Sequence, residues 1–395
     1  MNEITLNNRL ILVENLTINF DKNEICIVEN DVYSESYSFF AQVLFNFTMD
    51  KLVYLKDKDG KKFSFYDCYV GKSNMKNNEI TIRIIFQAYI TDYFMSNIKT
   101  YEINKMEVKL EYKKFDMGNI EESLDKNISF NIGKMNYKIE LIFYERFYKV
   151  ILMNDSKLTT EKFIHKFLLL YEFLILNLGY YLEIKKIKIF NDEQCFEYVY
   201  PFSSKYSGDN NYNSHSCVLG KVYNSNIKSI YKKWLEIRKN SHTIYDIFMN
   251  VFSVKYFIEI ALSTITNCME GYYKCIHKST LKKTIIDKAG KPKKVDKEFR
   301  DIMTEYLNSS EGKLIFSGKD RQTLKIYTKL TNHRNYFAHL DKKRKRFYGD
   351  SNLYMLLKIK LLFRVFILND INQTIEIDNL KKCVNEIEKY IKRRK

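Results

Sequence analysis

The hydrophobic period changes partway along this chain, and that change restricts the fold more than any other feature. From Ile4 to about Tyr148 the apolar residues recur mostly at every second position, the period of a strand with one buried face. Segments such as Glu79–Phe86 and Tyr137–Tyr144 are rich in β-branched and aromatic residues, which suit a pleated, half-buried surface. Runs of turn residues separate them, for example Asp57-Lys-Asp-Gly-Lys61. Short strands at roughly ten-residue spacing predict an antiparallel sandwich or barrel.

Over residues 159–178 the period becomes helical, with Thr159 or Thr160 as N-cap and Gly179 at the C-terminal end, the asymmetry expected of helix boundaries. Two strands, 183–190 and 195–199, come next, and Pro201–Asn213 has the Ser, Asn, Asp and Gly content of a linker. Beyond about residue 222 helices take over, near 224–239, 242–253, 254–278, 296–309, 319–340, 351–370 and 377–393. In the sixth of these, Met355, Ile359, Leu362, Phe363 and Phe366 form an apolar stripe, with Lys360 and Arg364 expected on the opposite face. The stretch 282–297 reads as a polar, basic loop marked by Gly290 and Pro292. The expected fold class is α+β. A β-rich domain is expected over residues 1–215, with one helix near 159–178, and an all-helical domain over 222–395.

Charge follows the same division. Residues 231–395 carry a net +18 of the chain's +17, which leaves −1 for residues 1–230. Affinity for polyanions is therefore expected of the helical part alone. A hydrophobic content of 45%, with 31 Tyr and 28 Phe, excludes a disordered polymer. Seven scattered cysteines and the absence of a signal-like opening predict reduced thiols and a cytoplasmic protein. The longest apolar run, Phe167–Leu182, is interrupted by Glu172 and falls short of the roughly 20 residues of a membrane span. The segment 377–395 is a poor membrane-surface helix, because Asp378, Glu386 and Glu388 interrupt it.

Several familiar chemistries fail at their spacing. Gly71-Lys72-Ser73 has the end of a phosphate-binding loop, but the first glycine of that motif would stand where Tyr66 does. His215-x-Cys217 and Cys268-x6-Cys275-x-His277 lack the paired spacing of zinc ligands, so buried apolar cysteine is the better reading and no metal is expected. Trp234 and most tyrosines read as core.

One constellation has chemistry. Arg334, Asn335 and His339 fall near the end of the 319–340 helix, and Lys342, Lys343, Arg344, Lys345 and Arg346 follow at once. A histidine, with an unperturbed pKa of about 6.5, can move a proton at a ribose 2′-OH or a leaving 5′-oxygen. The guanidinium is always charged and presents a planar fork to a phosphate. Asn335 lies four residues before His339, on the same helical face. Arg334 and His339 are five apart, about 140° around an ideal helix. They share a site if the helix distorts near its end, or if a second copy completes the cleft, as in a symmetric dimer. The basic run fits sequence-tolerant contact with an RNA backbone. Lys291, Lys293, Lys294 and the tail Lys392–Lys395 fit it more weakly.

These residues resemble a known family. Arg334-Asn335-x3-His339 looks like the R-polar-x3-H core of HEPN domains, which are small helical bundles. Residues 257–274, closing with Met269-Glu270-Gly271-Tyr272-Tyr273-Lys274, resemble the earlier helix of ApeA-like HEPN domains, and Leu353–Ile367 sits where that family places a later one. The resemblance covers roughly residues 225–393, and the N-terminal part looks like the domain that precedes the HEPN unit in ApeA-type anti-phage proteins. It implies a metal-independent, cofactor-free endoribonuclease of anti-phage defence or abortive infection. It further implies a homodimer with RNA as substrate and a phage-derived trigger at the N-terminal domain. Arg334 and His339 would be catalytic, Asn335 the polar residue beside the arginine, and Glu270 the partner that positions it. The alternative within the family is a bundle that has lost catalysis and serves as a dimerisation or RNA-binding adaptor.

Overall fold

The computed structural model describes residues 2–6, 9–13, 15–20, 22, 24–29, 52–66, 68–76, 79–86, 88–91, 101–111, 127–132, 137–144, 147–179, 182–192, 194–199, 219, 222, 225–241, 243–244, 247, 258–286, 290–317, 326–339 and 350–394. Its strands are β1 (Asn2–Leu6), β2 (Arg9–Val13), β3 (Asn15–Asn19), β4 (Glu24–Glu29), β5 (Leu52–Lys56), β6 (Lys62–Tyr66), β7 (Tyr69–Lys76), β8 (Glu79–Ile85), β9 (Ala88–Thr91), β10 (Glu102–Glu111), β11 (Asn127–Ile132), β12 (Tyr137–Tyr144) and β13 (Phe147–Thr159). Helix α1 (Thr160–Leu178) is followed by β14 (Glu183–Asn191) and β15 (Gln194–Val199), and then by α2 (Ile227–Asn240) and α3 (Ile258–Ile276). A hairpin of β16 (Lys282–Ile286) and β17 (Pro292–Asp296) precedes α4 (Phe299–Asn308), α5 (Ser310–Ile315), α6 (Ile326–His339), α7 (Asp350–Asp370) and α8 (Ile377–Arg394). The chain is α+β, with strands gathered in its N-terminal part and helices in its C-terminal part.

An eleven-stranded sheet runs β11-β12-β13-β10-β14-β15-β9-β6-β5-β1-β2, and a four-stranded sheet runs β3-β4-β8-β7. The β5–β6 turn is the Asp57–Lys61 run. There the Asp57 carboxylate accepts the Asp59 and Lys61 N–H groups at 3.0 and 2.8 Å, and Gly60 takes the left-handed φ of 83° that the turn needs. The two sheets share one small core. Ile4, Val53, Leu55, Phe63 and Phe65 come from the larger sheet, and Ile25, Ile27, Ile82 and Ile84 from the smaller. Alternation along each strand produces this directly, since every second residue points the same way.

A second, larger core begins at β10 and continues into the helices. Ile103, Met106, Val108 and Leu110 are its β10 contribution. The one three-residue step, from Ile103 to Met106, coincides with a register shift against β13, where one unpaired residue of β10, Asn104, stands against four of β13, residues 154–157. Helix α1 lies against this sheet through Phe163, Phe167, Leu170, Tyr171 and Leu174. It ends at Gly179, left-handed at φ 75°, whose N–H donates to the Ile175 carbonyl at 2.7 Å. Its start is not capped by the Thr159 side chain. Instead the Thr160 N–H and hydroxyl both donate to the Tyr101 carbonyl, at 2.8 and 2.9 Å.

Two expectations fail here. Residues 282–297 form the β16–β17 hairpin rather than a loop, turning at Gly290 with φ 74°. Helix α7 is not an amphipathic surface helix with Lys360 and Arg364 on a solvated face. Apolar residues cover almost its whole circumference, and Arg364 is only 3% exposed. Its Nε and Nη2 donate to the carbonyls of Leu176 and Asn177 at 2.6 and 2.5 Å. A cation thus satisfies the acceptors at the C-terminal end of α1, where the helix dipole favours positive charge. Arg238 of α2 makes a second clamp on α1, donating to both Glu172 oxygens at 2.7 and 3.1 Å. Trp234 is fully buried, and its indole N–H donates to the Leu169 carbonyl at 3.0 Å. The expected 242–253 helix and the 201–213 linker lie largely or wholly outside the described residues.

Candidate active site

Helices α3, α4 and α6 pack against one another and place the residues singled out by the sequence. Ile326, Leu330 and His333 turn inward from α6. His333 is 1% exposed, and its Nε2 lies 3.0 Å from the Glu259 carbonyl oxygen near the start of α3. The Glu259 side chain accepts the Asn352 amide of α7 at 3.0 Å. These polar contacts tie α6 and α7 to the start of α3.

The next residue of α6, Arg334, sits at the edge of the packed region, 26% exposed at its side chain. Its Nη1 donates to Glu270 Oε2 of α3 at 2.5 Å. The guanidinium carbon stands 4.8 Å from the centre of the Phe299 ring, which opens α4. Glu270 also accepts Lys274, four residues along the same helix, at 2.6 Å. Among the described residues Glu270 is the carboxylate that pairs with Arg334. An arginine carries five N–H donors, so a planar cation held at two points still has most of its fork for an anionic oxygen. Ring and carboxylate both come from neighbouring helices, so Arg334 is positioned by tertiary packing and not by its own helix.

Asn335 is half-exposed on α6. His339 is the last residue of that helix, and its side chain lies outside the described residues, as do Lys342, Lys343, Arg344, Lys345 and Arg346. Helix α6 keeps α geometry from Ile326 through His339. The local distortion that would bring Arg334 and His339 round to one face of a single chain is therefore not observed. On a regular helix they stay about 140° apart and about 7.5 Å along the axis.

Phe299 has no signal in the sequence. An aromatic residue at a helix start is ordinary, and the guanidinium it supports lies 35 positions later. Around it is an ionic network. The Tyr273 hydroxyl donates to Glu305, Lys297 donates to the Tyr273 oxygen at 3.0 Å, and Lys297 also pairs with Glu305. Burial works against the charge of Lys297, but the Glu305 carboxylate and the Tyr273 hydroxyl outweigh it and hold its pKa above the usual lysine value.

Burial pushes the Cys268 thiol up to about 12, so it stays protonated and packs as a small apolar side chain. His277 stacks on Tyr273, with ring centres 4.8 Å apart, and its Nε2 lies 3.2 Å from Asp370. Gly71-Lys72-Ser73 falls within strand β7, not at a loop before a helix. Among the described residues no cluster of three or more His, Cys, Asp or Glu side chains is spaced to hold a metal ion, and no helix is long and apolar enough to cross a membrane. Comparison with protein-family models, with curated proteins and with solved structures finds no match.

Proposed function

We propose that this protein is a HEPN-type endoribonuclease that cuts RNA without a metal ion and acts as a homodimer through its helical part. The observation that carries the reading is the Arg334 guanidinium, held by Glu270 and Phe299 from two neighbouring helices at the edge of the bundle. It lies on the same unbroken helix that ends at His339. A pre-placed cation costs little reorganisation when charge develops on a phosphoryl oxygen, which is where such a group contributes most.

The chemistry needs two proton transfers. An imidazole of His339 removes the 2′-OH proton, the 2′-oxygen attacks the adjacent phosphorus, and the bond from phosphorus to the 5′-oxygen breaks. A protonated imidazole returns a proton to that leaving oxygen. The products are a 2′,3′-cyclic phosphate and a 5′-OH, and no water is consumed. Arg334 holds the non-bridging oxygens, Glu270 positions Arg334, and Asn335 orients the imidazole or the substrate. The 140° separation on a regular helix favours a site that takes Arg334 from one copy and His339 from the other. The basic run Lys342–Arg346, directly after His339 in sequence, supplies phosphate contacts. The β-rich part carries the trigger site in a cytoplasmic anti-phage response.

Incubation of purified protein with mixed RNA in EDTA tests the reading. The wild type cuts, and Arg334→Ala and His339→Ala each lose at least about a hundredfold in rate, the scale of one acid–base or oxyanion contribution. Cleavage that needs a metal, or that persists in both variants, contradicts it.

A further inference from the structure

Beside Arg334, and built on its own strands, stands the β16–β17 hairpin. Two strands alone are marginal in water, and this pair is held by its root. Lys283 Nζ lies 2.5 Å from Asp301 of α4, the Lys297 N–H donates to the Leu281 carbonyl at 2.7 Å, and the Lys297 side chain joins the Tyr273–Glu305 network. Asp301 lies two residues beyond Phe299, the ring under Arg334. The hairpin therefore rises from the first turn of the helix that supports the candidate catalytic arginine.

Register separates its faces. Lys283 pairs with Val295 and Ile285 with Lys293 on the face turned to α4, where Lys283 and Val295 are half-buried. Lys282, Thr284, Ile286, Pro292, Lys294 and Asp296 share the other face, and all six are exposed. Lys282 and Lys294 form no ion pair with any carboxylate among the described residues, and neither does Lys293. In the last pair before the turn, Ile286 is 68% exposed, opposite Pro292. The outer face is thus a basic ribbon whose last paired residues, Ile286 and Pro292, are apolar.

We infer that the Lys282–Asp296 hairpin is an RNA-binding arm. Lys282 and Lys294 contact the phosphates of a single-stranded segment, and the paired Ile286 and Pro292 pack against its unstacked bases. Charge complementarity carries the polyanion part of this statement. Exposed apolar side chains at the end of a basic element fit bases presented by single strands, the form in which RNA offers its base faces. Such contacts tolerate sequence and place the chain being cut beside Arg334. The arm deepens the nuclease reading and rests on it for the location of the cut.

The test uses the full-length protein carrying His339→Ala, so that binding is measured without cleavage. A fluorescent single-stranded RNA and a duplex of the same sequence are titrated by anisotropy over a range of salt, with thermal melts of every variant. Lys282→Glu combined with Lys294→Glu is expected to weaken single-strand binding about tenfold. It should also flatten the slope of log K against log salt by about 1.4, since each single-strand phosphate contact contributes about 0.7. Ile286→Ser should weaken binding a few-fold with the slope unchanged, as loss of an apolar base contact requires. Affinity within twofold of the parent for both variants overturns the arm and leaves the lysines as guards against edge-to-edge strand pairing. Equal losses on duplex RNA overturn the single-strand assignment. If the charge-reversed variant loses binding while protein with intact His339 never cuts RNA, the arm is retained and the nuclease is removed. Normal binding and cutting by the charge-reversed variant does the reverse.

Discussion

Glu270 holds Arg334 across a helix–helix contact, its Oε2 2.5 Å from Nη1. Neither side chain is fully exposed, at 13% and 26%, so the pair keeps its geometry better than a surface ion pair does. On the proposed chemistry Glu270 is a positioning residue. Glu270→Gln should lower kcat about a hundredfold, the scale of a misplacement of about 1 Å, while KM for RNA changes little. Glu270→Asp should recover part of the loss. Equal damage to kcat and KM would mark a structural role instead.

Gly179 and Arg364 are coupled in the same manner. A Cβ at Gly179 would stand 2.0 Å from Arg364 Nη1, at a φ of 75°. Gly179→Ala should destabilise the fold by about 2–4 kcal/mol, combining left-handed backbone strain with a displaced cation. Arg364→Met leaves the Leu176 and Asn177 carbonyls without their donors, and it should cost about 3 kcal/mol. Denaturant midpoints read both, and neither variant should alter the chemistry of the RNA ends.

Lys360 makes stability depend on alkaline pH. Burial lowers its pKa to about 8, whereas an unfolded chain keeps a lysine proton to about 10.4. Between those values the unfolded state binds more protons, so the Lys360 contribution to stability rises with pH across that window. Lys360→Met should therefore raise the melting temperature at pH 7, and the advantage should shrink between pH 8 and about 10.4. An advantage constant over that range would mean that Lys360 does not titrate there.

At the acid end, Asp301 anchors the β16–β17 hairpin. Burial opposes its charge, but Lys283 and the Glu298 N–H outweigh it and hold its pKa below the ordinary carboxylate value. A depressed acid pKa contributes stability that is complete above the unfolded value of about 3.9 and is lost as pH falls through the folded one. Amide exchange in β16 and β17 should be faster in Asp301→Asn than in the wild type at pH 6, with the difference closing as pH falls below the ordinary carboxylate range. A difference that persists in acid would contradict the anchor.

Much of this arrangement is legible in the chain, and the parts that are not share a cause. The strands Tyr137–Tyr144 and Glu79–Ile85 and the helix ended by Gly179 follow from local period and one special backbone residue. The order in which β9 bridges β15 to β6 does not, because pairing between distant strands leaves no local trace. The hairpin escaped as a strand pair because its Lys, Thr and Ile sequence has no apolar alternation; its ion pairs to α4 hold it. Arg364 looks like a surface cation until its carbonyl partners, nearly 190 residues earlier, are in place. For the candidate site, Arg334, Asn335 and His339 are legible by residue type and helical position, Glu270 is named only by the resemblance to HEPN domains, and the structure pairs Glu270 with Arg334. Phe299 is not legible, since its place under the guanidinium depends on tertiary packing.

That unbroken helix predicts trans complementation. If each site takes Arg334 from one copy and His339 from its partner, mixing inactive Arg334→Ala and His339→Ala proteins yields hybrid dimers with one intact site. Half the dimers are hybrids at equilibrium, so activity should return to about a quarter of wild type. A mixture as inactive as its components would place both residues of each site on one chain.

The nuclease reading stands or falls on the ends of the RNA. Wild-type protein and a His339→Ala control are incubated with the same RNA in EDTA, and both termini at each cut are mapped. The account predicts 2′,3′-cyclic phosphate (or the 3′-phosphate it opens to) and 5′-OH ends that are absent from the control. Ends bearing 5′-phosphate and 3′-OH, or the same cuts made by His339→Ala, would contradict it.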